Sequence, residues 1–100
     1  MPAFNIVRMR VKPGAVDSYL DVHRSRSFED FPGMVSLNVV KTGERDFCIV
    51  GEWKDMDALA AARPKMISIL DSFRESLEDL GGGHGVTDPV SGEAVISRHA

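Results

Sequence analysis

The stretch MVSLNVVKTGERDFCIVGEW, residues 34–53, decides the fold class because it has the pattern of a β-hairpin. Residues 34–41 are rich in β-branched side chains, and residues 46–53 form a second apolar run that ends in tryptophan. Between these runs, residues 42–45 (TGER) have the composition of a tight turn. Gly51, inside the second run, indicates a bulge or a close backbone approach. We therefore predict two adjacent antiparallel strands in the middle of the chain.

A strand and a helix are predicted before this hairpin. Residues 4–12 alternate with a period of two between an apolar face and a face that carries arginine and lysine, as a half-buried strand does. From residue 15 the apolar spacing lengthens to three and four residues, which predicts an amphipathic helix over residues 15–29. Pro32-Gly33 then separates this helix from the hairpin. The apolar stripe of the helix consists of Val16, Tyr19, Leu20 and His23.

Two helical segments and a last strand are predicted after the hairpin. Asp55 is a candidate N-cap for a short helix over residues 56–62, and Pro64 suits the first turn of the next helix. The glycine-rich residues 81–92 predict a loop, and the alternating residues 94–99 predict a fourth strand. The apolar stripe of the second long helix consists of Met66, Leu70, Phe73, Leu77 and Leu80.

The order of these elements predicts an α+β, ferredoxin-like fold. Strand, helix, hairpin, helix and strand give the order β-α-β-β-α-β, with both helices on one face of a four-stranded antiparallel sheet. One hundred residues is the size of a single domain, so we assign residues 1–100 to one domain whose core covers residues 4–80.

The face of the sheet away from the helices is expected to need a partner. It would carry either Phe4 and Ile6 or an apolar set from the third strand, and both are too apolar to leave in water. A second copy of the chain, packed across a twofold axis, would cover this face. The set from the third strand consists of Phe47, Ile49 and Trp53.

Composition and charge limit the kinds of partner and compartment. The net charge of −3 argues against nucleic acid, which requires a basic surface to neutralise phosphates. No stretch approaches the roughly 20 apolar residues of a membrane span, and the N-terminus lacks the pattern of a signal peptide. The single cysteine, Cys48, excludes an intrachain disulfide. We expect a cytoplasmic protein with neither a membrane nor a nucleic-acid partner.

Three segments of the chain resemble the antibiotic biosynthesis monooxygenase family. They are VKPG at residues 11–14, FPGMVSL at residues 31–37 and VGEWKDMDAL at residues 50–59. In order and spacing, the resemblance covers roughly residues 4–80. It implies a ferredoxin-like fold and a homodimer whose sheets form a dimeric α/β barrel. The family includes cofactor-free oxygenases of aromatic polyketides, haem-degrading oxygenases and quinol oxygenases.

The haem-degrading branch of the family does not match this sequence. Those enzymes need a tryptophan that distorts the haem and an axial histidine on the second long helix. When the segments around Trp53 are aligned, Ala62 and Ser72 occupy these two positions, and residues 54–83 contain no histidine. The three histidines also lie on different predicted elements, without the spacing of metal ligands. We predict no metal site and no cofactor.

Two residues are candidates for catalysis. His23 titrates near neutral pH and lies on a helix, so it is a candidate general base, although a buried core histidine is the alternative. Asn5 falls on the side of the first strand that we assign to the helices, where it could bind a phenolic substrate. An asparagine bonded to backbone at a strand end is the alternative interpretation.

Four further residues are candidates for substrate binding. Tyr19 could orient a substrate, although core packing is the favoured interpretation, and Asn38 could add an amide donor or lie exposed. Trp53 could form a flat wall for an aromatic ligand, or serve as a core or interface aromatic. His84, within the glycine-rich segment, could belong to a mobile lid.

The sequence thus supports two functions. The first is a cofactor-independent monooxygenase that acts on a small aromatic or quinone-like compound. The second is a non-catalytic homodimer that binds a small hydrophobic molecule or has a regulatory role.

Overall fold

The computed structural model describes residues 1–100 and contains five strands and two helices. This is the predicted α+β, ferredoxin-like order with one strand more than the four expected. Neither helix combines the length and apolar character that crossing a membrane requires. The strands are β1 (Ala3–Val11), β2 (Met34–Lys41), β3 (Asp46–Trp53), β4 (Leu77–Glu78) and β5 (Asp88–Glu93). The helices are α1 (Val16–Arg24) and α2 (Met56–Phe73), and 3-10 turns cover Phe28–Asp30 and Arg74–Ser76.

The strands form one antiparallel sheet with β1 at its centre. The order is β2-β3-β1-β4, and β5 pairs with the part of β1 that β4 leaves free. The predicted hairpin is confirmed, since β2 and β3 pair along nearly their whole length with one irregularity near Met34. The extra strand is β4, where Leu77 pairs with the end of β1 instead of continuing the second long helix as the sequence predicts.

The helices have other boundaries than the sequence predicts. α1 ends at Arg24 rather than near residue 29. At this end of the helix, the Ser25 hydroxyl donates to the carbonyl of Asp21 at 2.8 Å. The two predicted helical segments after the hairpin are one continuous helix, α2, which begins at the predicted N-cap Asp55. Pro64 lies inside α2 on its exposed side, so water can satisfy the carbonyl that loses its amide partner.

The prediction of a strand over residues 94–99 is wrong. The last strand covers Asp88–Glu93, and the glycine-rich loop therefore ends before residue 88 instead of at residue 92. Pro89 and Gly92 made this segment resemble a turn. A proline is tolerated there because β5 pairs only with β1, and its other side is a free edge of the sheet.

Both helices pack on one face of the sheet and bury its apolar side chains. Of the two sets that the sequence left open, the set from β3 faces the helices: Phe47 and Ile49 pack in a cluster with Met9, and Trp53 packs in a second cluster with Leu59. Phe4 and Ile6 therefore belong to the opposite, outer face, because successive residues of a strand alternate between faces.

Candidate functional site

A cavity of about 510 Å³ lies between the helix-facing side of the sheet and the two helices. Twelve of its nineteen lining residues are hydrophobic, and its size falls in the range of small-molecule sites, roughly 300–1,000 Å³. Its polar lining residues are Asn5, His23, Arg26, Arg63, Thr87 and Ser91. Both residues that the sequence suggested for catalysis, Asn5 and His23, therefore line the same cavity.

Asn5 is held in a fixed orientation by Trp53. The indole N–H of Trp53 donates to Oδ1 of Asn5 at 2.7 Å. Because an indole nitrogen can only donate, the acceptor is the amide oxygen, and the NH₂ group of Asn5 remains as a donor at the cavity wall.

Gly51 makes room for this hydrogen bond. It lies directly opposite Asn5 in the pairing of β1 with β3. A Cβ atom at residue 51 would collide with Oδ1 of Asn5 and lie 3.2 Å from Nε1 of Trp53. The close approach that the sequence predicted at Gly51 is therefore made by an amide side chain.

His23 is a neutral, buried side chain with a defined tautomer. It is 7% exposed, and its ring makes edge contacts with Tyr19 and Phe73. Burial, and then the nearby charge of Arg26, lower the pKa of His23 to about 4. The ring is therefore neutral near pH 7.

The neighbour of His23 determines which ring nitrogen carries the proton. Nη1 of Arg26 lies 3.3 Å from Nδ1 of His23, and a guanidinium group can only donate. Nδ1 is therefore the acceptor, and the proton of the neutral ring is on Nε2. Nε2 is buried and has no hydrogen-bond partner within the protein. In this arrangement His23 offers a donor rather than a base.

Two arginines that no sequence pattern marks supply the charge of the cavity. The guanidinium carbon of Arg26 lies 4.9 Å from the ring centroid of Phe31, and burial lowers the pKa of Arg26. Arg63, on α2, donates to Oγ of Ser91 on β5 at 2.9 Å. Neither arginine belongs to a motif, because their approach to one cavity depends on how a loop and a helix pack. No acidic residue lines the cavity.

Tyr19 and Trp53 are core side chains that do not line the cavity. Tyr19 is fully buried, its hydroxyl donates to the sulfur of Met9 at 3.1 Å, and burial raises its pKa. Trp53 packs against Phe31 with ring centroids 6.2 Å apart and reaches the cavity only through its hydrogen bond to Asn5.

Asn38 and His84 also lie away from the cavity. Asn38 is exposed on the outer face of the sheet, opposite Val50. His84 is exposed in the glycine-rich loop, with Nδ1 3.6 Å from a carboxylate oxygen of Asp88.

The residues at the two haem positions do not fit a haem. Ala62 is buried in the cluster around Trp53, and Ser72 is exposed with its hydroxyl bonded to the carbonyl of Ile69. Neither side chain could stack on a porphyrin or ligate its iron. No group of three or more His, Cys, Asp or Glu side chains is placed to hold a metal ion.

Solved structures with the same fold cover nearly the whole chain. Rv0793 from Mycobacterium tuberculosis has a TM-score of 0.76 at 12% identity, with 99% of this chain and 100% of that chain covered. SnoaB, a cofactor-independent oxygenase from Streptomyces nogalater, has a TM-score of 0.72 at 17% identity, with 96% and 95% covered. A variant of MhuD with two manganese protoporphyrin IX molecules bound per active site has a TM-score of 0.68 at 18% identity, with 98% and 99% covered.

The sequence itself matches a family over its first two thirds. The model of the family described as antibiotic biosynthesis monooxygenase matches residues 2–64, which contain β1, α1, the hairpin and the start of α2. No curated protein matches the sequence. Because the family match covers more than half of the chain, the protein belongs to the antibiotic biosynthesis monooxygenase family.

Proposed function

We propose that the protein oxygenates a small aromatic or quinone-like compound in this cavity without a cofactor. The observation that carries the proposal is the mostly apolar cavity with the Asn5 amide fixed in its wall by Trp53. An apolar cavity suits a flat aromatic ring, and a fixed amide donor suits an oxygen that becomes negative during the reaction. SnoaB, which shares the fold, is a cofactor-independent oxygenase.

The reaction can be balanced with the substrate and oxygen alone. A ring CH₂ group that is activated by a neighbouring carbonyl loses a proton to water and becomes an enolate. The enolate gives one electron to O₂, and the resulting radicals join to form a C–O bond. The peroxide takes up a proton and loses water to leave a carbonyl, so that CH₂ and O₂ become C=O and H₂O. The chain would contribute donors that stabilise the enolate and the peroxide.

The donor in this proposal is the NH₂ group of Asn5, because Nε2 of His23 is buried and not exposed at the cavity wall. We expected His23 to act as a general base, but its Nδ1 accepts from Arg26 and its Nε2 carries the proton. We therefore propose that His23 is not the base, and that the amide of Asn5 increases the acidity of the substrate.

Oxygen uptake with anthrone-type compounds, which carry such a CH₂ group, tests the proposal. We expect consumption of one O₂ per carbonyl formed, a rate at least about tenfold lower for Asn5→Ala, and an unchanged rate for Ser72→Ala, whose side chain is exposed on α2 outside the cavity. A rate unaffected by Asn5→Ala would contradict the proposed role of the amide.

A second function, binding without catalysis, is favoured by one observation. No base is free in the cavity, because Nδ1 of His23 is occupied and no carboxylate lines the wall. Saturable binding of the same compounds without any oxygen uptake would support this alternative.

We also propose that two copies of the chain pack through the outer faces of their sheets. The apolar side chains of this face include Phe4, Ile6, Val40 and Val50, and Ile6 on the central strand is 38% exposed in the single chain. Burying them against a second copy would remove apolar area from water. Sedimentation equilibrium should give twice the mass of the chain, and a monomer would contradict the proposal.

A further inference from the structure

The arginines at the cavity differ from most others in the chain because they lack a carboxylate partner. Five of the eight arginines form ion pairs on the surface, with Asp or Glu as the partner. The three arginines outside these ion pairs are Arg26, Arg63 and Arg98. The first two line the cavity, and Arg98 is exposed near the C-terminus. In a chain with a net charge of −3, the cavity is thus a place where positive charge is left uncompensated.

Arg26 is the more strongly buried of the two. Its Nε is buried and has no hydrogen-bond partner, and its other contacts are the neutral His23 ring and the face of Phe31. Burying a cation without an anion is unfavourable, and a guanidinium group stays protonated instead of losing its charge. A negatively charged group in the cavity would offset this unfavourable burial.

Arg63 offers further donors at the exposed side of the same cavity. One of its terminal nitrogens donates to Ser91, which is a neutral acceptor and leaves the charge unpaired. Ser91 lies directly opposite Asn5 in the pairing of β1 with β5, so Arg63 is anchored next to the fixed amide. A guanidinium group presents several N–H donors in a plane, which matches the two oxygens of a carboxylate.

We propose that the ligand of this cavity is an aromatic carboxylate whose acid group binds to the guanidinium groups of Arg26 and Arg63. This inference rests on the proposed function only in that both use the same cavity, and it adds the charge of the substrate. The aromatic body would lie against the apolar wall, and the carboxylate would supply the anion that no residue of the chain provides. The absence of acidic lining residues means that no side chain of the wall repels it.

The test compares two probes of equal shape that differ in charge. Dissociation constants of 2-naphthoate and 2-naphthamide are measured by calorimetry with the full chain at pH 7.5, under nitrogen, so that no oxygenation interferes. We expect the acid to bind at least about tenfold more tightly than the amide, because a charge-assisted pair with arginine is stronger than a neutral hydrogen bond.

Arginine variants show which side chains cause the preference for the acid over the amide. In Arg63→Gln the ratio of the two dissociation constants should fall towards one, and in Arg26→Gln it should fall as well. Arg26→Lys keeps the positive charge and should retain part of the preference, which separates a loss of charge from a loss of packing on Phe31. Arg98→Gln removes an unpaired arginine outside the cavity and should leave the ratio unchanged.

The comparison of the two dissociation constants does not depend on whether the protein is an oxygenase. A wild-type protein that binds the acid no more tightly than the amide, including one that binds neither, overturns the inference. A loss of the ratio in Arg98→Gln as large as that in Arg63→Gln overturns it too. Oxygen uptake with a neutral anthrone and no preference for the acid would leave the proposed function standing without this inference. A preference for the acid with no oxygen uptake from any substrate would support this inference and contradict the proposed function.

Discussion

At residue 51, the missing side chain decides where the amide of Asn5 can lie. Gly51 has ordinary strand geometry, so conformational freedom is not the reason for the glycine. The reason is space, since a methyl group would occupy the position of Oδ1 of Asn5 and press on the indole nitrogen of Trp53. The sequence pattern pointed to a close approach at this glycine, but it could not identify the approaching group.

Gly51→Ala should both destabilise the protein and impair the cavity. We expect a loss of about 1–3 kcal/mol, the usual cost of overpacking, and weaker ligand binding because the amide of Asn5 must move. Gly92→Ala is the matched control, since Gly92 is also a strand glycine without a positive φ and nothing lies within 4 Å of its added Cβ. Urea unfolding of both variants checks this, and equal stabilities would contradict the steric argument.

His23 makes the stability of the fold depend on pH. Its pKa is about 4 in the folded protein and 6.5 in the unfolded chain, so the unfolded state binds more protons between these values. The contribution of the neutral ring is therefore complete above about pH 6.5 and is lost as the pH falls towards 4. We expect acidification from pH 7 to pH 4.5 to cost on the order of 2 kcal/mol through this residue.

One variant separates the contribution of His23 from that of the other groups that titrate. In His23→Leu, the difference in unfolding free energy between pH 7 and pH 4.5 should shrink by the amount above. Chemical denaturation at the two pH values gives the comparison. If the difference in unfolding free energy is the same in His23→Leu and in the wild type, the linkage is ruled out.

At the scale of elements, the sequence predicted what local patterns control and missed what pairing controls. The hairpin and the start of α2 follow from a turn, two apolar runs and the cap at Asp55. The last strand was misplaced because Val95 and Ile96 look like strand residues, whereas Pro89 lies in the real strand. That strand exists because β1 has free backbone groups along residues 3–8, which a single-segment pattern cannot reveal.

The cap of α2 can be tested directly. Oδ1 of Asp55 accepts from the backbone N–H of Ala58 at 2.8 Å, which satisfies one of the free amides at the start of the helix. Asp55→Ala should cost about 1 kcal/mol of unfolding free energy. Asp57→Ala, in the first turn but without this bond, should cost clearly less, and an equal loss in both variants would point to the helix dipole instead.

At the scale of the whole molecule, the two faces of the sheet differ in what they carry. The helix-facing side holds the cavity, whose two candidate catalytic residues the sequence found through strand alternation and helix period. Arg26 and Arg63 could not be found in this way, because they come from a loop and a helix that meet only after folding. The outer side carries surface ion pairs at Arg8 and Arg10 beside an apolar area.

The proposed dimer predicts a position-specific effect of charge on this outer face. Ile6→Glu would place a carboxylate in the apolar area at the centre of the proposed interface, and burying it would cost several kcal/mol or leave the chains apart. We expect a monomer in sedimentation equilibrium, with the helical circular dichroism of the wild type. Ile96→Glu makes the same substitution outside the sheet, where the side chain is 79% exposed, and should remain dimeric. If Ile6→Glu stayed dimeric, the copies would have to associate through another surface, since the apolar area around Ile6 could no longer be in contact.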